Sequence, residues 1–262
     1  MSKQPWALIL GASSGFGAAA ALELARAGMN IFGVHLDRRD KLPQLDELQA
    51  KIRELGRDAV FFNVNASDDM YRLQTVDRIQ ERLAEEPGGT LRVLLHSLAF
   101  GTLKPLAGAE LVVTKKQLEM TVDTMGHSLV YWVQDCLRAG MFDRGARILA
   151  MTSAGGARVI PTYGAVSAAK AAIESHIRQL AIELAPAGIT ANAILAGVTD
   201  TPALRLIPGH EKIMEIARSR NPHRRLTLPE DVARCIVALC HPATYWLTGN
   251  TLQVDGGESI VG

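Results

Sequence analysis

The sequence predicts an α/β fold, a doubly wound parallel sheet of seven strands with helices on both faces. Two observations predict it. Short apolar runs alternate with longer amphipathic stretches along the whole chain, and the first run opens directly onto a glycine-rich turn that leads into a helical pattern. With 262 residues the chain can bury a sizeable core, and no linker, tandem repeat or low-complexity tract divides it, so residues 1–262 read as one domain.

The run W-A-L-I-L, residues 6–10, has the pattern of a strand buried on both faces, and G-A-S-S-G-F-G, residues 11–17, follows at once. An alanine-rich helix then ends near Gly28. In this setting Gly11, Gly15 and Gly17 allow a tight turn and close backbone approach. Amides around Ser13, Ser14 and Phe16 then face a pyrophosphate at the helix N-terminus, as in a Rossmann-type dinucleotide site. A purely structural turn is the plain alternative. The second strand, N-I-F-G-V-H-L, ends at D-R-R-D-K, where such a fold meets the adenosine ribose. A carboxylate there suits the 2′-hydroxyl of NAD, and arginine suits the 2′-phosphate of NADP. Arg38 and Arg39 offer two guanidiniums while Asp37 lies late for the ribose, so NADPH is expected ahead of NADH, with a solvated charged turn as the alternative.

Residues 41–56 read as an amphipathic helix and 58–65 as strand three, leaving Asn65 and Ala66 at a strand's carboxyl end, where ligands bind in parallel sheets. Residues 68–86 are helical, 91–95 form strand four leading into H-S-L-A-F-G, and a long helix covers 114–140. R-I-L-A-M-T is strand five and delivers Ser153 at its end. A helix starting at Pro161 and running to about Ala185 carries Tyr163 and Lys170, seven residues apart and so on one face. I-T-A-N-A-I-L is strand six, residues 227–240 a helix, and N-T-L-Q-V-D-G-G strand seven. A lysine ammonium beside a phenol favours the phenolate, so Lys170 is expected to lower the Tyr163 pKa and improve it as a proton donor. A surface pair on an ordinary amphipathic helix is the bland reading.

A formal net charge of +1 makes no global case for nucleic-acid or membrane binding, and no apolar run approaches membrane-spanning length. Cys136, Cys235 and Cys240 are widely spaced in apolar helical patterns without metal-ligand company, and read as reduced packing residues with no metal site. M-S-K-Q-P-W has no cleavable apolar segment. These features make a cytoplasmic protein the expectation.

The glycine loop, Ser153 after strand five and Lys170 on the next helix together resemble the short-chain dehydrogenase/reductase family, over essentially the whole chain to V-D-G-G. Usual members carry the catalytic tyrosine four residues before the lysine, where this chain has Val166. Tyr163 stands seven before it, and this Y-x6-K spacing is similar to the enoyl-acyl carrier protein reductases, a divergent branch of the family. H-S-L-A-F-G in place of N-N-A-G, Met125 in place of an asparagine, and A-G-V-T-D-T-P-A-L at 196–204 point the same way. The resemblance implies Tyr163 and Lys170 as catalytic residues, Ser153 as catalytic or substrate-binding, and Lys170 as the holder of the nicotinamide ribose. It also implies Ser97, Leu98, Ala99 and Gly197 along the cofactor, Thr199 at the nicotinamide amide and Thr201 near the pyrophosphate. Serine at 153 occurs in enoyl-reducing and carbonyl-reducing members alike, so it does not discriminate between them. The implied activity is NAD(P)H-dependent reduction of the 2,3 double bond of trans-2-enoyl thioesters, of the fatty acid synthesis type. The implied substrate carrier is acyl carrier protein or coenzyme A, and the implied assembly a homotetramer.

The spacing suits that chemistry. In ketone reduction hydride lands on the carbon bearing the oxygen, whereas in a 2-enoyl thioester it adds at C3 while charge grows on the more distant thioester oxygen. A tyrosine three residues further from the lysine, roughly 4–5 Å along a helix axis, addresses that oxygen. Residues 202–226 read as a substrate lid rich in large apolar groups, with Ile213, Ile216 and Ala217 on one helical face and Met214 beside it. A helix packed on the core is the alternative. Arg218, Arg220, His223, Arg224 and Arg225 form a basic cluster, read first as a solvated face and second as a site for an acidic carrier or a coenzyme A phosphate. Two other functions stay open: an NADPH-dependent carbonyl or 3-oxoacyl reductase, and a nucleotide-binding regulator without catalysis.

Overall fold

The computed structural model describes residues 5–261; residues 1–4, expected to carry no leader, and Gly262 of the apolar C-terminus lie outside the described residues. Among the described residues seven strands form one sheet in the order β3-β2-β1-β4-β5-β6-β7, every pair parallel. They are β1 Pro5–Leu10, β2 Asn30–His35, β3 Ala59–Asn63, β4 Thr90–His96, β5 Phe142–Thr152, β6 Thr190–Ala196 and β7 Thr251–Val254. Strand order reverses between β1 and β4, and the crevice above their carboxyl ends is where a doubly wound sheet receives its ligand.

Helices cover both faces. On one side α1 (Gly15–Arg26), α2 (Leu42–Glu54) and α9 (Pro229–Leu239) pack on Ala7, Ile9, Ile31 and Leu149 of the sheet. On the other, α3 (Asp69–Ala84), α5 (Ser128–Arg138) and α6 (Gly164–Glu183) pack on Leu8, Leu10, Phe32 and Ile148, and α4 (Lys115–Val122) lies against α6. The short α7 (Pro202–Arg205) and α8 (His210–Arg220) follow β6. Alternation of inward faces explains why the central strands read as unbroken apolar runs: both faces of each are covered. Asp68 caps α3 by accepting from the Tyr71 amide, and Thr114 and Gln117 form a reciprocal capping box at α4. Cys136 and Cys240 are buried and Cys235 half-buried, all three as free thiols.

Three boundaries differ from the sequence expectation. Strand β5 begins at Phe142, five residues before Arg147, because an irregular register opposite Leu91 and Val93 lets it pair early. The long helix expected over 114–140 is interrupted between α4 and α5 by a widened π-turn, Asp123–His127. Helix α6 starts at Gly164, not at Pro161. Thr162 adopts a left-handed backbone (φ 63°), which breaks any helix running back to the proline and sets Tyr163 as the capping residue.

Candidate active site

The glycine loop fits its predicted task. A Cβ on Gly17 would fall 1.9 Å from the Gly11 carbonyl oxygen, and one on Gly11 2.5 Å from that of Ser97, so neither position tolerates a side chain. Gly11 and Gly15 have positive φ. Gly15 faces Thr201, whose methyl would lie 3.4 Å from an added Cβ; Thr201 is buried and caps α7 through the Leu204 amide. The loop after β6 thus closes over the N-terminus of α1, where the backbones of the two segments come close together. Thr199 is buried nearby and donates to the Gly197 carbonyl at 3.0 Å. Ser97 follows β4, its amide bonded to the Leu10 carbonyl, and Leu98 packs on the core beside Ala66. Asn65 accepts from the Ser67 amide and hydroxyl, and the Ala66 carbonyl accepts from the Trp132 indole.

At the end of β2 the Asp37 carboxylate lies 2.9 Å from the His35 ring, and its backbone is clamped on both sides by Asn63. That folds Asp37 back toward the sheet and leaves Arg38 and Arg39 exposed at the rim. These arginines stand apart from the other predicted site residues, as an adenosine-end pair does in such a fold.

Ser153, Tyr163 and Lys170 converge behind the carboxyl end of β5. Gly155 makes room for the phenol: a Cβ there would lie 2.5 Å from the Tyr163 ring. Burial raises the Tyr163 pKa above the usual phenol range, while the Ser153 hydroxyl beside it acts in the opposite direction. The expected lowering by Lys170 is therefore not found. The Lys170 ammonium is turned to the Met151 carbonyl, 2.8 Å away, and the two residues are not successive positions of one helical face because Tyr163 caps α6 from outside it. Burial lowers the Lys170 pKa to about 8 against the opposing pull of Glu174, whose carboxylate accepts from Thr152 at 2.6 Å.

The phenol belongs to an apolar cluster. Val166 and Met125, two of the departures from the usual pattern, pack in it with Tyr163, Ala169 and Ile207. Gly101 closes on both, 2.9 Å from Val166 and 3.0 Å from the Met125 sulfur when measured from an added Cβ. Leu204 and Ile213 of the segment after β6 pack against this cluster. The expected lid face is corrected here: Ile216 turns outward and is exposed while Ala217 is buried, and Leu204 and Ile207 join Ile213 on the cluster. The basic cluster is partly spent on local bonds, since Arg225 forms a bidentate pair with Asp231 and Arg224 donates to the Ser219 carbonyl.

Sequence reasoning missed Glu174, Gly155, Thr162 and the π-turn. A signal existed for one of them: the G-G pair at Gly155 and Gly156, separated from Ser153 by one residue, announces space beside a bulky neighbour. The π-turn places Met125 in the apolar cluster around Tyr163 and Gly126 against α6, where an added Cβ would meet the Ala169 carbonyl at 3.1 Å. Thr162 and the turn are products of tertiary packing and leave no local trace.

Residues 11–259 match the family described as Enoyl-(Acyl carrier protein) reductase. The chain is 32% identical over 256 residues to a 1-cyclohexenylcarbonyl-CoA reductase of Streptomyces collinus, covering 97% of this chain and 86% of that one. It is 29% identical over 221 residues to an NADH enoyl-acyl-carrier-protein reductase of Aquifex aeolicus (strain VF5), covering 82% and 79%. A crystal structure of the enoyl-acyl-carrier-protein reductase from Aquifex aeolicus VF5 superposes with a TM-score of 0.85 at 25% identity over 99% of this chain and 98% of the other.

Proposed function

Because the chain belongs to the short-chain dehydrogenase/reductase family, in its enoyl-acyl carrier protein reductase-like branch, we propose that this NAD(P)-dependent reductase acts on the 2,3 double bond of trans-2-enoyl thioesters. The observation that carries this reading is the apolar cluster packed around Tyr163. Val166 occupies the position from which a carbonyl-reducing tyrosine would act, and the phenol stands instead at the helix cap, further from Lys170.

The cofactor cradle is formed by Gly11, Ser13, Ser14, Gly15, Phe16 and Gly17, with Asn65, Ala66, Ser97, Leu98 and Ala99 along the strand ends and Gly197, Thr199 and Thr201 closing it. When bound, the reduced nicotinamide supplies a hydride to C3. Tyr163 donates a hydrogen bond to the thioester oxygen as negative charge builds there. Its raised pKa keeps the proton on the phenol until the oxygen demands it. Ser153 orients that hydroxyl, and Lys170, still largely charged near neutrality, holds the ribose. Leu204, Ile207 and Ile213 exclude water from the enolate and lie along the acyl chain. Arg38 and Arg39 favour NADPH, although the Aquifex relative carries NADH in its name. The acyl carrier is acyl carrier protein or coenzyme A.

One observation favours a second reading. A serine hydroxyl acting on the tyrosine is also what carbonyl reduction needs, so a 3-oxoacyl reductase is the competing assignment. The test is oxidation of NADPH and of NADH with a medium-chain trans-2-enoyl thioester and, separately, with the 3-oxoacyl thioester. Turnover with the enoyl substrate alone is expected; turnover with the 3-oxo substrate alone overturns the proposal.

A further inference from the structure

His96 ends β4 and is wholly enclosed, and no step proposed above uses it. Its Nε2 lies 2.9 Å from the Ser128 hydroxyl. That hydroxyl has one proton, which it gives to the Thr124 carbonyl of the π-turn at 2.8 Å. Ser128 therefore accepts from His96, which puts the imidazole proton on Nε2 and leaves Nδ1 as a bare lone pair. Nδ1 is buried and has no hydrogen-bonding partner among the described residues. A buried acceptor left in this state is expensive unless another polar group answers it.

The group placed to answer it is Lys170. His96 pairs with Ala150 across the sheet, and the Lys170 ammonium is tethered to the carbonyl of Met151, one strand over and one residue along. An ammonium has three donors, of which this bond uses one. The two groups feel each other: burial first, and the Lys170 charge second, push the His96 pKa down to about 3 against the opposing pull of the carbonyls of His96 itself and of Thr124, so the ring is neutral at any working pH. The other titratable group acting here is Glu174 of α6; the π-turn presents Thr124, α5 presents Ser128, and β5 presents a carbonyl.

We propose that His96 is a positioning residue for Lys170, its Nδ1 lone pair accepting from the lysine ammonium across one bridging water. Ser128 and Thr124 lock the tautomer that makes this possible. The arrangement favours charged Lys170 and aims it at the cofactor ribose. It rests on the reading of Lys170 as the ribose-holding residue and not on which substrate is reduced.

The experiment is the pH dependence of NADPH affinity, followed by nicotinamide fluorescence without substrate, for the wild type, His96→Asn, His96→Gln, His96→Phe and Ser128→Ala. Asparagine keeps a polar atom near the Nδ1 position, whereas glutamine keeps one near Nε2 only. In the wild type, affinity is expected to fall as pH rises through the ionisation of Lys170. His96→Gln and His96→Phe are expected to move that fall about one pH unit lower, and His96→Asn to hold it near the wild-type value. Ser128→Ala, which leaves the ring in place, is expected to shift it in the same direction and serves if the ring variants fail to fold. No alkaline fall in the wild type overturns the ribose-holding role of Lys170 and this proposal with it. A wild-type fall that Ser128→Ala and the folded ring variants leave unmoved overturns the proposal alone.

Discussion

Gly155 lies against the face of Tyr163 so closely that a methyl group added to it would sit 2.5 Å from the ring carbon Cε1. The ring is buried and backed by Val166, Ala169 and Met125, so it has no free direction in which to yield. Gly155→Ala is expected to tilt the phenol and lower kcat about 10- to 100-fold, since small misplacement of a catalytic group is enough for that loss. NADPH affinity is expected to stay within about twofold. Steady-state kinetics and a cofactor titration read the two effects separately; a loss confined to cofactor binding contradicts the placement.

Lys170 opposes stability and function. Its pKa falls from 10.5 to about 8 on folding, mainly through burial. Between those values the unfolded chain binds more protons than the folded one, so stability rises with pH across this window. Below it the folded protein carries a buried ammonium at full penalty. Lys170→Met is therefore expected to unfold at a higher temperature than the wild type near neutrality, by a stabilisation on the order of 2 kcal/mol, while turnover is lost. The difference should shrink as pH rises above about 8. Melting curves of both proteins on either side of that value check the sign.

The exposed pair beyond β2 is expected to set cofactor choice. With Asp37 held by His35 and Asn63, removal of both guanidiniums by Arg38→Ala and Arg39→Ala is expected to weaken NADPH binding about 10- to 100-fold and to leave NADH binding nearly unchanged. Equal weakening of both cofactors would mean that the arginines serve the loop rather than the 2′-phosphate. Calorimetry with each cofactor distinguishes the cases.

Ile207 packs with Tyr163 in one apolar cluster and is almost fully buried. Ile207→Ser is expected to raise KM for a medium-chain enoyl thioester about tenfold, by removing apolar contact along the acyl chain, with a smaller change for a short-chain one. The ratio of the two KM values is the measurement. A uniform rise for both chain lengths places Ile207 in the scaffold instead.

The fold was largely legible in the sequence because its determinants are local. W-A-L-I-L and N-I-F-G-V-H-L announce doubly covered strands, and Gly11 and Gly17 announce a turn where the backbone must touch itself. The spacing singled out Tyr163 and Lys170 as candidate site residues, but not their relationship. It implied a helix running back to Pro161; Thr162, left-handed and just ahead of the tyrosine, makes Tyr163 the cap of α6 instead. The direction of the phenol's pKa was likewise misread, because burial by residues from distant segments, among them Met125 and Ile207, outweighs a neighbour inferred along the chain. Which lid side chains face inward followed from the start and tilt of α8, set by tertiary contacts.

The π-turn at Asp123–His127 divides one helical path between two obligations. A widened turn houses one residue more than an α-turn does, and it leaves the helices on either side in phase. Deleting a single residue there should restore ordinary helical geometry while Leu129, Trp132 and Cys136 keep their places in the core. What such a shortened chain would lose is the seating of Met125 beside Tyr163 and Val166 and of Gly126 against α6. The supernumerary residue is thus owed to the surroundings of the phenol, and the scaffold carries it as a tenant.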